Sequence, residues 1–167
     1  IYGNIEGIRD SQLNELERLY GMEFARDEFL PDRLLSLLVR FTQALNREIM
    51  VYLGRDGSVL QIAIGSASNV GLPELHLRRN TERLAGFRCI HTHPGGDARL
   101  SIVDEQALRL LRFDAMCAIG VGEQYCTGIT AAFLGAMEYG RLSIVTYGPV
   151  KPGRIPHKTW LREIAVP

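Results

Sequence analysis

The chain has no excess of charge of either sign: 19 Lys and Arg stand against 19 Asp and Glu in 167 residues, a formal net charge of zero. Bulk electrostatics therefore offers no argument for nucleic acid or for an anionic membrane surface as partner. Cysteine is scarce. Cys89, Cys117 and Cys126 are an odd number, form no CxxC pair and sit in apolar, strand-like stretches. They read as small buried hydrophobes of a reducing compartment, which argues against a disulfide framework and a cysteine zinc site and leaves Cys89, two residues before His91, as a minor alternative soft ligand. No apolar run approaches the roughly 20 residues of a membrane span. The amino end, IYGNIEGIRD, lacks the basic start and apolar stretch of a signal peptide, so the expected location is the cytoplasm. Neither a GxxxxGKS/T phosphate loop nor a GxGxxG turn is present, and there are no repeats or low-complexity tracts. The first residue is Ile and not Met, and the chain reads as a piece of something longer.

What is present describes a packed domain. Hydrophobic residues make up 46% and charged residues 23%, which places the chain among globular proteins and not among disordered ones. A length of 167 residues suits one domain with a full core. Residues 1–150 are expected to form it. The Pro- and Arg-rich tail 151–167, KPGRIPHKTWLREIAVP, is expected to wrap the surface or to lead into a following domain.

Periodicity supplies the elements. Asp10-Ser11 is expected to cap a helix over about 11–20, with Leu13, Leu16, Leu19 and Tyr20 at helical spacing. Pro31 opens a stronger helix to about Asn46, burying Leu34, Leu35, Leu38, Phe41, Thr42 and Leu45. Glu48–Gly54 and Ser58–Ile64 read as a hairpin around Arg55-Asp56-Gly57. The stretch from Gly65 to Asn80 is irregular and polar, with room for an edge strand. Phe87–His93 reads as a central strand and Ser101–Arg112 as a third helix. Ala115–Val121, AMCAIGV, is a near-continuous apolar run, as in a strand covered on both faces. Thr127–Leu134 and Leu142–Tyr147 add two more strands. Helices on both sides of a mixed sheet predict an α/β fold, a three-layer α/β/α sandwich.

The chemistry is concentrated in HTHPGGDARLSIVD, residues 91–104. His91 and His93 are two apart on the expected strand and share a face, while Thr92 points to the other face and into the core. A Pro-Gly-Gly turn reverses the chain, and Ser101 and Asp104 open the next helix. Two imidazoles and a carboxylate are a normal three-ligand set for catalytic zinc, with the fourth position left to water. Each residue also has a plainer role. Ser101 and Asp104 form a capping-box variant, with Ser at the N-cap and an acidic residue at N3. The histidines taken singly fit a core, and Asp97 and Arg99, in the loop over the site, fit a substrate contact and a solvated loop equally well. Capping and ligation are compatible, since a rigid helix start is a good platform for a ligand. His76 and His157 read as surface residues.

HxHP followed after six residues by SxxD is much more specific than HxH alone. It resembles, without insertion or deletion, the metal-binding signature of the JAMM (or MPN+) metalloprotease family. The resemblance implies one zinc ion held by His91, His93 and Asp104. It implies that Ser101 hydrogen-bonds the reacting centre. In that family a Glu on an earlier strand moves the proton of the attacking water, which here implies Glu48, at the start of EIMVYLG. Glu48 reads otherwise as a strand-mouth residue in solvent or paired with an arginine. The fold implied is the three-layer sandwich, related in architecture to cytidine deaminases.

The resemblance reaches further along the chain. GNIEGI, ALNREIMVYLGRDGSV, CIHTHPGGDARLSIVDEQAL and FDAMCAIGV look like the amino-terminal extension of certain bacterial HflX-type GTP-binding proteins. The same HxHP and SxxD arrangement occurs in RadC-type proteins. Three functions follow as expectations. One is a zinc hydrolase acting on a peptide or isopeptide bond. Another is a regulatory or docking module with an inactive site, associated with the ribosome through a parent GTPase. The third is a RadC-like nucleic-acid module, which the zero net charge disfavours.

Overall fold

The structure is a computed structural model that describes residues 1–65, 86–111, 113–134 and 142–147. The elements run in the order β1 (Tyr2–Gly3), α1 (Asp10–Glu17), a 3-10 turn (Arg18–Gly21), α2 (Asp32–Leu45), β2 (Ile49–Gly54), β3 (Val59–Ile64), β4 (Phe87–Pro94), α3 (Ile102–Leu111), β5 (Ala115–Val121), β6 (Cys126–Leu134) and β7 (Leu142–Tyr147). The strands form one open sheet in the order β1-β3-β2-β4-β5-β6-β7. The β1–β3 and β4–β5 pairs are parallel and the others antiparallel, so the sheet is mixed.

Helices lie against both faces. On one face Leu16 of α1 and Leu34, Leu35, Leu38 and Phe41 of α2 pack on Ile49, Val51, Leu53, Ile62, Ile90, Cys117 and Ile119. On the other, Leu108 of α3 and Phe113 pack on Met50, Tyr52, Ala63, Cys89 and Met116. β2 alternates accordingly, with Ile49, Val51 and Leu53 on one side and Met50 and Tyr52 on the other. Each fully buried Leu, Ile or Phe contributes about 1.5–3 kcal/mol. α2 buries Leu34, Leu35, Leu38 and Phe41 in this way, with Val39 and Thr42 beside them, and α3 only Leu108.

Several boundaries differ from expectation for identifiable reasons. Asp10 and Ser11 are already helical. The N-cap is Arg9, and Gln12 reaches back to it, accepting from the Arg9 N–H at 3.2 Å. The last expected turn of α1 tightens into the 3-10 segment Arg18–Gly21. Pro31 sits at the N-cap of α2 and not inside it. At the other end Asn46 takes a left-handed conformation, φ 49°, and its N–H bonds to the Thr42 carbonyl. Asn tolerates that conformation, and the cap turns the chain straight into β2. β2 begins at Ile49, so Glu48 immediately precedes it. Tyr2–Gly3 adds a short parallel strand beside β3 that the sequence reading did not anticipate. Most of the segment from Gly65 to Asn80, and the tail 151–167, lie outside the described residues. Among the described residues no helix is long and apolar enough to cross a membrane.

Candidate metal centre

β4 positions the two histidines. It lies between antiparallel β2 and parallel β5, with His91 opposite Met50 on one side and Ala118 on the other, and His93 opposite Gly120. Small residues on β5 leave room on this face for two imidazole rings. The rings meet edge to face at 4.7 Å between centroids. His91 is buried, and His93 and Asp104 are half-buried.

α3 brings the carboxylate. Asp104 Oδ2 lies 3.3 Å from His91 Nε2 and 4.0 Å from His93 Nε2. One potential ligand atom from each of the three residues falls within 4.8 Å of the other two. Bonds of about 2.0–2.1 Å in a tetrahedral zinc site put ligand atoms about 3.4 Å apart. Small rotamer adjustments separate the three side chains from that arrangement, so they could hold a metal ion.

The hydrogen bonding around the three residues fits a metal as well. Neither ring nitrogen of His91 makes a hydrogen bond, although both are buried. A buried polar atom with no partner costs about 1–3 kcal/mol, which an ordinary core histidine avoids. His93 Nδ1 lies 2.8 Å from the backbone carbonyl of Asp97. A carbonyl only accepts, so Nδ1 carries the proton and Nε2 keeps its lone pair toward Asp104. Burial alone would raise the Asp104 carboxyl. The neighbouring His91 ring and hydrogen bonds with Ser101 outweigh it and hold the group at about 2. Asp104 is therefore anionic at neutral pH, as a ligand must be.

Ser101 and Asp104 cap α3 reciprocally. The Asp104 N–H donates to Ser101 Oγ at 3.0 Å, and the Ser101 N–H donates to Asp104 Oδ2 at 2.8 Å. The capping reading of this pair is thus correct, and the cap itself aims the carboxylate at the histidines. Ser101 is exposed beside the centre. Glu48 is buried just ahead of β2. Met50 pairs with His91, and continuing that antiparallel register by two residues sets Glu48 level with His93, on the histidine face.

Thr92 points to the opposite face, as expected, and is buried there with a polar task. Its Oγ1 accepts the Ile49 N–H at 3.0 Å and lies 2.7 Å from Thr42 Oγ1. It ties α2 to the first residue of β2, next to Glu48. The sequence left Asp97 open between a substrate contact and a solvated loop residue, and gave no sign that its backbone carbonyl would meet His93. Its carboxylate does stay in the loop, clasped by the Arg99 side chain at 2.9 and 3.0 Å. A cleft of about 560 Å³, lined by Thr42, Gln43, Asn46, Pro94 and Glu123 among others, opens at the same end of the sheet. None of the three candidate ligands lines it. Comparison of the chain with family models, with curated proteins and with solved structures finds no match.

Proposed function

We propose that this domain is a JAMM-type zinc hydrolase that cleaves a peptide or isopeptide bond, in the three-layer architecture of that family. The observation that carries the reading is the convergence of His91, His93 and Asp104, with Ser101 capping the same helix start at the family's spacing. Helices against both faces of the sheet agree with it. Two imidazole nitrogens and a carboxylate favour zinc among the common divalent ions. Bound there, the metal supplies Lewis acidity and a nucleophilic water at neutral pH.

The chain's own groups do the rest. His93 is fixed in the tautomer that presents Nε2, and Asp104 supplies negative charge. Glu48 takes the proton of the attacking water onto its carboxylate and passes it to the departing amide nitrogen. The Ser101 hydroxyl already accepts the Asp104 N–H, so its own proton is what it can donate. It donates to the carbonyl oxygen of the scissile bond as negative charge builds there. One such donor is worth about 3–4 kcal/mol.

The test is zinc stoichiometry together with turnover on a panel of peptide and isopeptide substrates. One zinc per chain is expected, lost in the His91→Ala/His93→Ala double variant. Glu48→Gln is expected to keep the metal and lose turnover about 10²–10⁴-fold. Absence of zinc binding, or an active Glu48→Gln protein, overturns the reading. Zinc binding without turnover on any substrate favours a docking module that has kept its ligands.

A further inference from the structure

We propose that Thr127, on β6 and 34 residues along the chain from His93, is a positioning residue for that histidine. It holds the loop whose Asp97 carbonyl fixes the His93 tautomer. The inference rests on the zinc reading above. Exposed loops are ordinarily the most variable part of a domain, and a ligand oriented by a loop carbonyl needs that loop held. The loop from Gly95 to Arg99 is held at one point by Thr127, whose Oγ1 donates to the Gly96 carbonyl at 2.5 Å. Gly96 directly precedes Asp97, so this bond fixes the peptide plane next to the carbonyl that accepts from His93 Nδ1.

The surroundings of Thr127 are shaped for this contact. A Cβ on Gly96 would lie 3.2 Å from Thr127 Cγ2, and one on Gly122 would lie 2.9 Å from the same atom. A Cβ on Gly120 would come within 2.7 Å of the Gly96 carbonyl oxygen and 2.9 Å of the Ala98 nitrogen. Three glycines, one in the loop and two at the end of β5, thus leave room for one threonine and for the loop backbone lying on β5. Gly96 also has φ +88°, where a side chain is strained. Register slips between Gly120 and Val121 as β5 meets β6, and Thr127 follows directly on Cys126, the partner of Val121. A β-branched residue fitting a strand end would explain the methyl of Thr127. It would not explain a hydroxyl bonded to the residue before Asp97.

The experiment compares Thr127→Val, which removes the hydroxyl at nearly constant shape, with Thr127→Ser, which keeps it. Three quantities are read: the zinc dissociation constant by competition with a chromophoric chelator, the melting temperature of the metal-free protein, and the His93 tautomer in metal-free protein by ¹⁵N NMR. Thr127→Val is expected to weaken zinc binding about 10–100-fold. Its metal-free melting temperature should stay close to wild type, and the Nδ1-protonated form of His93 should lose its dominance. Thr127→Ser should restore both zinc affinity and tautomer. Wild-type affinity in Thr127→Val, or a Thr127→Ser protein as weak as Thr127→Val, overturns the proposal. Should Thr127→Val not fold, Thr127→Ala gives the same readouts without bulk among the glycines. If the wild-type chain binds no zinc, the metal reading fails separately. The tautomer then decides: its retention in Thr127→Val refutes the positioning role, and its loss supports it.

Discussion

His91 is buried in the central strand β4, and both of its ring nitrogens are left without a hydrogen bond. In a metal-free protein this is a standing cost of about 1–3 kcal/mol. The close approach to Asp104, 3.3 Å, lacks hydrogen-bond geometry. Replacing His91 by an apolar side chain of similar volume should therefore relieve the fold while destroying the site. His91→Leu, measured by urea unfolding in chelator at pH 8, is expected to be at least as stable as wild type and to lose all protection by zinc. A loss beyond about 1.5 kcal/mol, more than a volume-conserving core exchange usually costs, would mark His91 as an ordinary packed residue. At this scale the sequence was informative where partners are close along the chain. The HxH pair shares a face because strand side chains alternate, and SxxD caps because a helix begins there. It was silent where partners are distant. Nothing near Thr127 announces the Gly96 carbonyl, 31 residues earlier. Nor does anything near Arg88 announce its burial, with its guanidinium donating to the Phe29, Gly54 and Glu28 carbonyls at 2.8–3.3 Å.

The helices differ in how they are held. α2 was legible from its stripe of Leu34, Leu35, Leu38 and Phe41, because six buried residues at helical spacing dominate any local competition. The start of α1 was not, since Asp10 and Ser11 are both good caps and only the Gln12 contact to Arg9 settles which residue stands outside. β1 was invisible because two residues carry no period. α3 is the unusual element. It buries only Leu108 completely and leaves Ile102, Val103 and Leu110 70–77% exposed. It is capped at Ser101, and that same turn carries Asp104. A metal joining Asp104 to His91 and His93 would therefore staple the weakly packed helix to the central strand. Zinc should slow amide hydrogen exchange most in α3 and in the Gly95–Arg99 loop, and little in α2, whose protection already comes from its core. Exchange slowed equally in α2 and α3 would mean that the ion acts on global stability alone, and unchanged exchange in α3 would place it elsewhere.

Among the described residues there are two apolar clusters, one on each face of the sheet, and neither depends on the candidate ligands. The centre lies at the carboxyl end of β4, where β4 runs parallel to β5 in the middle of the sheet. Open α/β sheets commonly bind ligands at the carboxyl ends of parallel strands, because the crevice there is bounded by elements that the rest of the fold already supports. The metal should then be a late addition to a finished structure, unlike the ion of a zinc finger, which supplies the folding energy itself. A ligand at a hundredfold excess over its dissociation constant stabilises the folded state by about 2.7 kcal/mol. For a domain of 150–250 residues each kcal/mol moves the melting temperature by about 2–4 °C. Zinc at that excess is thus expected to raise the melting temperature by roughly 5–10 °C over the chelated protein. Chelator should leave the far-ultraviolet circular dichroism at 25 °C unchanged, because sheet and helices persist. The His91→Ala/His93→Ala variant should show the same spectrum and no shift with zinc. A chain that loses its secondary structure in chelator would require the metal to hold the two cores together, and the clusters on either face of the sheet give it no such task.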